Sequence, residues 1–410
     1  MLGFESEYTK KNETKALYSH GFSYICDTKT IVIMKRVVVA LDSFKGSLDS
    51  YDAGRAFAEG IRDVVPEAVV RHFAIADGGE GFSEAIALAK GGERVKATVY
   101  DPLMRPIEAS YTILDEGAVA VIAISSASGL PLLTAEERNP LVATTYGTGQ
   151  LIADAIDRGC RQIVVGLGGS ATNDCGVGML RALGGKFYDA QGEELTETIE
   201  VLERVAEVQD DELRSKLQGV NFSVAVDVDN PLCGERGAAY IYAPQKGADG
   251  AMVARLDSAM RHFASVVDNK CGYRASDLSG VGAAGGLGYA FVALLGATLK
   301  SGIELVLDAI DFDDALMEEC LVVTGEGRID AQTLMGKAPS GVLRRAMLSG
   351  RTGVAVGGSV VECEQLTHSA FAKLYAITPH NMPLAEAMRP DVAKENLRAT
   401  AHLVAKEFLM

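Results

Sequence analysis

The stretch KRVVVALDSFKGSLDSYDAGRAFAEGIRDVVPEAVVRHFAIADGGEG, Lys35 to Gly81, decides the fold. KRVVVAL is an apolar run stopped by the turn DSFKGS (Asp42 to Ser47), and the segment after it places Ala53, Phe57, Ile61 and Val64 on one helical face. A second apolar run, AVVRHFAIA, ends at ADGGEG (Ala76 to Gly81), and a further helix is predicted over Phe82 to Ala89. Strand, turn, helix and strand make a βαβ unit. Both glycine-bearing turns then lie at the carboxyl ends of parallel strands, where open α/β sheets bind ligands.

Outward from this unit the rhythm changes near Val95. ERVKATVYDP, PIEASYTIL and AVAVIAI are closely spaced strands with no helix between them, the pattern of antiparallel hairpins. A helix over Tyr146 to Asp157, a strand over Gln162 to Val165, the glycine turn GLGGSATND (Gly166 to Asp174) and a strand over Phe222 to Asp227 follow. The βα rhythm returns in CLVVTGEG, GVAVGGS and KLYAIT. The expected architecture is α/β: a discontinuous Rossmann-like or flavodoxin-like doubly wound domain, 35–92 plus 303–410, with a mixed α/β domain, 93–302, inserted. Residues 1–34 carry no signal-peptide pattern and read as a disordered extension, with Met34 a candidate start of translation just before the first strand.

With 48% hydrophobic residues in 410, the chain can bury a sizeable core. A formal charge of -16 disfavours nucleic acid and anionic lipid, so any anionic substrate needs a local cluster of cations. Seven dispersed cysteines without a CxxC pair fit reduced thiols and a cytoplasmic setting, and six scattered histidines show no zinc spacing. The uncharged segment Leu278 to Leu299 reads as a glycine loop followed by a core helix, because its Gly, Ala and Ser half adds little to membrane insertion.

Four glycine-rich segments carry charge: DSFKGS, ADGGEG, GLGGSATND and TGEGRID (Thr324 to Asp330). Such turns bring backbone N–H groups close to a ligand, while Asp, Glu and Lys beside them serve metal, phosphate and proton transfer. Lys45 is either a cation for phosphate or carboxylate or a solvated loop lysine, and Asp42 and Ser47 are alternatively helix caps. The pairs Asp77 with Glu80 and Glu326 with Asp330 suit Mg²⁺ or a general base, or else cap the helices after them. Arg328 is a partner ion or an anion clamp. Gly166, Gly168 and Ala171, with Asp189 about 20 residues on, imitate a dinucleotide fingerprint, but hydroxyl, amide and carboxylate groups crowd the turn. Cys175, with no histidine nearby in sequence, reads as a packed residue. No Walker A, H-E-x-x-H or G-x-S-x-G pattern occurs.

Taken in order, DSFKGS, ADGGEG, SASGL, RNPL, TTYGTG, GGSATND, DVDNP, PQKG, GAAGGLG, TGEGRID and GKAPSGV closely resemble the type I glycerate kinases of bacteria. The resemblance spans Lys35 to about Pro379. It implies two α/β domains with substrate between them, ATP and Mg²⁺ as cofactors, D-glycerate as substrate, and 2-phosphoglycerate as the expected product. The sequence departs from the pattern at Phe82, Cys175 and Met335, where a small hydroxyl residue, Gly and His are expected.

On this reading the reaction is in-line transfer of a phosphoryl group, in which the protein chiefly positions reactants and neutralises charge. Asp174 or Asp330 orients or deprotonates the hydroxyl, and Lys45 clamps phosphate or carboxylate. Asp42, Ser43, Asp77, Gly78, Gly79, Gly168, Gly169, Ser170, Asn173, Lys246, Gly285, Gly286, Arg328 and Lys337 surround substrate and phosphates, with Asp227, Asp229 and Glu326 as Mg²⁺ candidates. Arg138 is a further candidate cation. No nucleic-acid or membrane partner is expected, and a homo-oligomer is compatible with the sequence. Two rival readings are an NAD-dependent hydroxyacid dehydrogenase and a sugar-acid-binding protein without turnover.

Overall fold

The computed structural model describes residues 36–76, 82–114, 117–334, 336–361 and 363–410. The expected extension at 1–34, the whole of Asp77 to Gly81 and Met335 therefore lie outside the described residues. In chain order the strands are β1 (Arg36–Leu41), β2 (Val69–Ala74), β3 (Glu93–Tyr100), β4 (Pro106–Leu114), β5 (Val119–Ala123), β6 (Gln162–Gly166) and β7 (Lys186–Tyr188). They continue as β8 (Glu207–Gln209), β9 (Asn221–Ala225), β10 (Thr298–Lys300), β11 (Leu321–Ile329), β12 (Thr352–Val360) and β13 (Lys373–Ala376).

Five strands form an all-parallel sheet in the order β13-β12-β11-β1-β2. The apolar run of β1 is continuous because both faces of the strand are covered. Successive side chains alternate across a strand, so Val37, Val39 and Leu41 meet Phe57, Ile61, Leu397 and Ala401 from the helices Ser50–Val64 and Pro390–Phe408. Val38 and Ala40 point the other way, toward Phe82 and Ile86 of the helix Phe82–Lys90, Val306 of Gly302–Ala309 and Val342 of Ala338–Leu348.

A six-stranded mixed sheet has the order β10-β9-β6-β5-β4-β3. Its β3-β4-β5 part is antiparallel, as the closely spaced runs predict, and β5, β6, β9 and β10 are parallel. Val121 of β5 and Ala225 of β9 join the same cluster as Val38 and Ala40, whereas Ala120 and Ile122 face a separate large core. One apolar layer thus contacts both sheets. Met34–Met410 accordingly forms one compact unit.

The uncharged segment becomes the helix Ala283–Leu295, with Leu287, Tyr289 and Phe291 fully buried. No helix among the described residues is long and apolar enough to cross a membrane. One expectation changes shape: TGEGRID does not bend away after its strand. Thr324 to Ile329 stays extended within β11 and pairs with β12 as far as Ile329 with Val360, whereas pairing with β1 stops at Leu41 with Gly325. Beyond Gly325 this strand has an edge not covered by β1.

Candidate functional site: a crevice around Lys45

The chain leaves β1 at the point where the parallel sheet branches, with β2 on one side and β11 on the other. Crossovers leave in opposite directions there and open a crevice at the strand ends. The Asp42 N–H donates to the Gly325 carbonyl at 2.8 Å, tying the two strand exits together. DSFKGS then folds back on itself: the Phe44 N–H donates to Leu48 O at 2.9 Å, and Phe44 and Leu48 are buried. Gly46, at φ +77, supplies the left-handed residue of this bend. With its neighbours anchored inward, Lys45 is left exposed over the crevice.

Lys45 lines three adjoining cavities. The largest, about 990 Å³, lies against β11 and β12 and includes Asp42, Ser43, Glu326, Arg328, Asp330, Lys337 and Ser359. A second, about 750 Å³, includes Asp42, Ser43, Ser47, Tyr51, Ser125 and Ser126. The third, about 470 Å³, is formed by the exits of β6 and β9: Gly168, Gly169, Ser170, Asp227, Tyr242, Gln245 and Lys246. Residues more than 200 positions apart in sequence converge on one lysine.

The third cavity has a preformed wall. Gly169, at φ +72, turns the chain so that its carbonyl accepts from Leu130 N at 2.8 Å, and Ala171 N donates to Ser128 O at 2.9 Å. Asp174 closes the turn from beneath. Its fully buried carboxylate accepts from Thr145 N (2.8 Å), Thr145 Oγ1 (2.7 Å), Gly176 N (3.0 Å) and Gly178 N (3.2 Å). A Cβ on Gly285 would lie 2.0 Å from Thr172 O, and one on Gly286 would lie 2.8 Å from Cys175 Sγ. The close backbone approach at these two glycines is therefore made by the chain's own 172–175 turn. Cys175 itself sits at φ +48, a left-handed position that costs a non-glycine residue about 1 kcal/mol.

The glycerate kinase family model matches residues 37–409. A glycerate kinase of Halalkalibacterium halodurans is 42% identical over 87% of this chain and 94% of its own length. The glycerate 2-kinase of Escherichia coli K12 is 41% identical, covering 81% and 87%.

The chain belongs to the glycerate kinase family.

A crystal structure from Salmonella typhimurium LT2, assigned as a glycerate kinase 2, superposes on it with a TM-score of 0.81 at 38% identity, covering 91% of this chain and 98% of that one. In this family member Lys246 is the most deeply buried cation of the crevice, 2% exposed. Its Nζ donates to Ser170 Oγ at 2.8 Å and to Thr172 O at 2.6 Å. Burial pushes its pKa down to about 7, opposed by the Asp174 charge. Burial pushes the Asp174 carboxyl up from its ordinary value, opposed by the donors of Thr145, Gly178 and Gly176.

On the opposite wall of this kinase, Glu326 accepts from Thr333 Oγ1 at 2.8 Å and lies 3.5 Å from Lys337 Nζ. Arg328 Nε is 3.2 Å from Asp330 Oδ2, and Asp330 Oδ1 accepts from Gln332 N at 2.9 Å. Asp227 Oδ1 accepts from Gly302 N at 2.9 Å. Asp229 turns away into an exposed pair with Arg236 at 2.9 Å. No group of three or more His, Cys, Asp or Glu suited to a metal occurs among the described residues.

Of the site residues expected from sequence, Asp42, Ser43, Lys45, Gly168, Gly169, Ser170, Asp227, Lys246, Glu326, Arg328, Asp330 and Lys337 line these cavities. Asn173, Asp174, Asp229, Gly285 and Gly286 do not, and Asp77, Gly78 and Gly79 lie outside the described residues. Ser125, Ser126, Tyr242 and Gln245 also line the crevice, and no sequence expectation names them. SASGL and PQKG contain two of them, Ser126 and Gln245, so the motifs hold the signal but give no role.

Proposed function

We propose that this enzyme transfers the γ-phosphoryl group of ATP to the 2-hydroxyl of D-glycerate, giving 2-phosphoglycerate. The observation that carries the reading is that Lys45 lines all three cavities, so a donor held in one and an acceptor held in another would both meet it. Family membership and the glycerate 2-kinase relative support the substrate and the product isomer. The 990 Å³ cavity suits the nucleotide, since Val361, Ile377, Met382 and Leu384 offer apolar surface for a base. The 470 Å³ cavity suits a three-carbon acid.

Buried hydroxyls fit this assignment. Ser47 Oγ and Thr172 Oγ1 have no hydrogen-bond partner among the described residues, and Ser47 lines the two larger cavities, so a phosphate oxygen would satisfy a group otherwise costly to leave unpaired. Mg²⁺ would neutralise charge on the transferring phosphates and would be held by Asp227 and Glu326, one carboxylate from each wall, consistent with its preference for few carboxylates plus phosphate oxygens. Asp330, which lines the nucleotide-side cavity, would orient the attacking hydroxyl where that hydroxyl meets the terminal phosphate beside Lys45. Asp174 acts indirectly, fixing the glycine turn that the acceptor touches.

The same reading treats 35–92 with 303–410 as a doubly wound Rossmann-like domain and 93–302 as its insertion. The order β2-β1-β11-β12-β13, parallel throughout, supports it. The apolar layer common to both sheets favours closure by the crevice turns over rotation of one sheet against the other. Incubation with ATP, Mg²⁺ and D-glycerate, followed by phosphorus NMR, tests the assignment. A 2-phosphoglycerate resonance is expected. Absence of any phosphoglycerate would refute it, and 3-phosphoglycerate would refute the regiochemistry.

A further inference from the structure

The crevice contains several cations, and their surroundings distinguish them. Arg328 is largely exposed and paired with Asp330, and Lys337 faces Glu326. Arg138 is not among the residues lining the three cavities, although its backbone packs beside Gly247. Lys45 lines all three cavities, and the proposed function already assigns it to the transferring phosphate. Lys246 alone among these is held almost completely out of water and still borders the smallest of the three cavities around Lys45.

An ammonium group has three N–H donors. Two of those on Lys246 are spent on Ser170 Oγ and Thr172 O, and the third has no partner among the described residues. The lysine is fixed from both sides. Gly247, at φ +96, reverses the chain directly after it, and a Cβ there would fall 2.3 Å from Arg138 O. Among the described residues, the cavity it borders holds one carboxylate, Asp227, which is already engaged by the Gly302 N–H.

We infer that Lys246 is the receptor for the carboxylate of the acceptor acid, and that it makes the enzyme select an acid over a neutral polyol or ester of the same shape. This deepens the function proposed above and rests on it. A charged acceptor completes the third hydrogen bond of a buried ammonium. A neutral analogue leaves that donor unpaired and its charge offset only through Asp174, and such buried deficits are what allow a site to reject a ligand lacking one group. Neutralising the carboxylate here also lets the approaching phosphate meet an acceptor whose own charge is already balanced.

The test compares D-glycerate with its methyl ester, which keeps both hydroxyls and loses the charge. Binding of each to wild-type enzyme is measured by calorimetry, and kinetics are measured for wild type, Lys246→Met and the milder Lys246→Gln, with circular dichroism to verify folding. Wild type is expected to bind the acid about 100-fold more tightly than the ester, the range of a charge-assisted hydrogen bond. In either variant that ratio should collapse toward one through a raised KM for glycerate, with the KM for ATP within twofold of wild type. Equal binding of acid and ester by wild type would overturn the inference without any variant. A variant that keeps the ratio, or loses ATP affinity instead, would overturn it as well. Failure of wild type to phosphorylate glycerate would strike the proposed function, while calorimetry would still report on the receptor.

Discussion

The turn Gly168–Asp174 and the strand extension Glu326–Asp330 face each other across Lys45, and they are built on opposite principles. The first is fixed from within: a buried carboxylate accepts four hydrogen bonds, and glycines from a neighbouring helix pack against its back. The second is held by β12 along one edge and by side-chain pairs that reach solvent, such as the exposed Arg328 with Asp330. Desolvated hydrogen bonds to a charge are strong and rigid, whereas exposed ion pairs contribute little and exchange readily. One wall is therefore preorganised for a small acid, and the other can adjust around a larger ligand.

Lys45 belongs to both walls, so its loss should have the largest effect. Lys45→Ala is expected to lower kcat/KM about 1,000-fold, the scale of removing a transition-state donor, with little change in thermal stability. Steady-state kinetics beside a melting curve check it. A loss of less than tenfold would detach the lysine from phosphoryl transfer.

The two acids should separate the walls. Asp174→Asn places an amide among N–H donors and should cost about 3–5 kcal/mol of stability by urea denaturation. Asp330→Asn should leave stability within about 0.5 kcal/mol and reduce kcat about 100-fold. If the two substitutions exchanged these effects, the contrast drawn here would be reversed.

Lys246 gives the preorganised wall a pH signature. Its pKa is about 7 in the fold against an ordinary 10.5, so between those values the folded state binds fewer protons than the unfolded chain. Stability contributed by this group therefore rises with pH across that window, and its penalty is fully present below pH 7. Lys246→Met should raise the melting temperature more at pH 6 than at pH 9. Glycerate affinity of the wild type should fall as pH rises through about 7, and that dependence should be absent from the variant. The smallest effect is expected on the adjustable wall, where Arg328→Ala should change stability by less than about 0.5 kcal/mol because its pair with Asp330 is largely exposed.

Much of this arrangement was legible in the chain itself. The βαβ start was readable because apolar runs buried on both faces are bracketed by turn residues, and the antiparallel β3-β4-β5 segment because its strands lack intervening helices. TGEGRID misled because glycine usually interrupts a strand, yet pairing with β12 carries β11 through both glycines. The role of Asp174 was hidden because its donors come from Thr145, Gly176 and Gly178, a set created only by folding. Lys246 is legible as a residue of the PQKG motif, but its burial depends on Ser170 and Thr172, more than 70 positions away. Asp229 looked equivalent to Asp227 two residues earlier, and the end of β9 at Ala225 sends them apart.

The most direct test is a crystal structure of the enzyme with D-glycerate and a non-hydrolysable ATP analogue. The account predicts the terminal phosphate within hydrogen-bond distance of Lys45 Nζ, with glycerate lodged between the Gly168–Ser170 turn and Lys246. Either ligand bound away from Lys45, for example in the separate cavity beside Arg261 and Arg274, would contradict it.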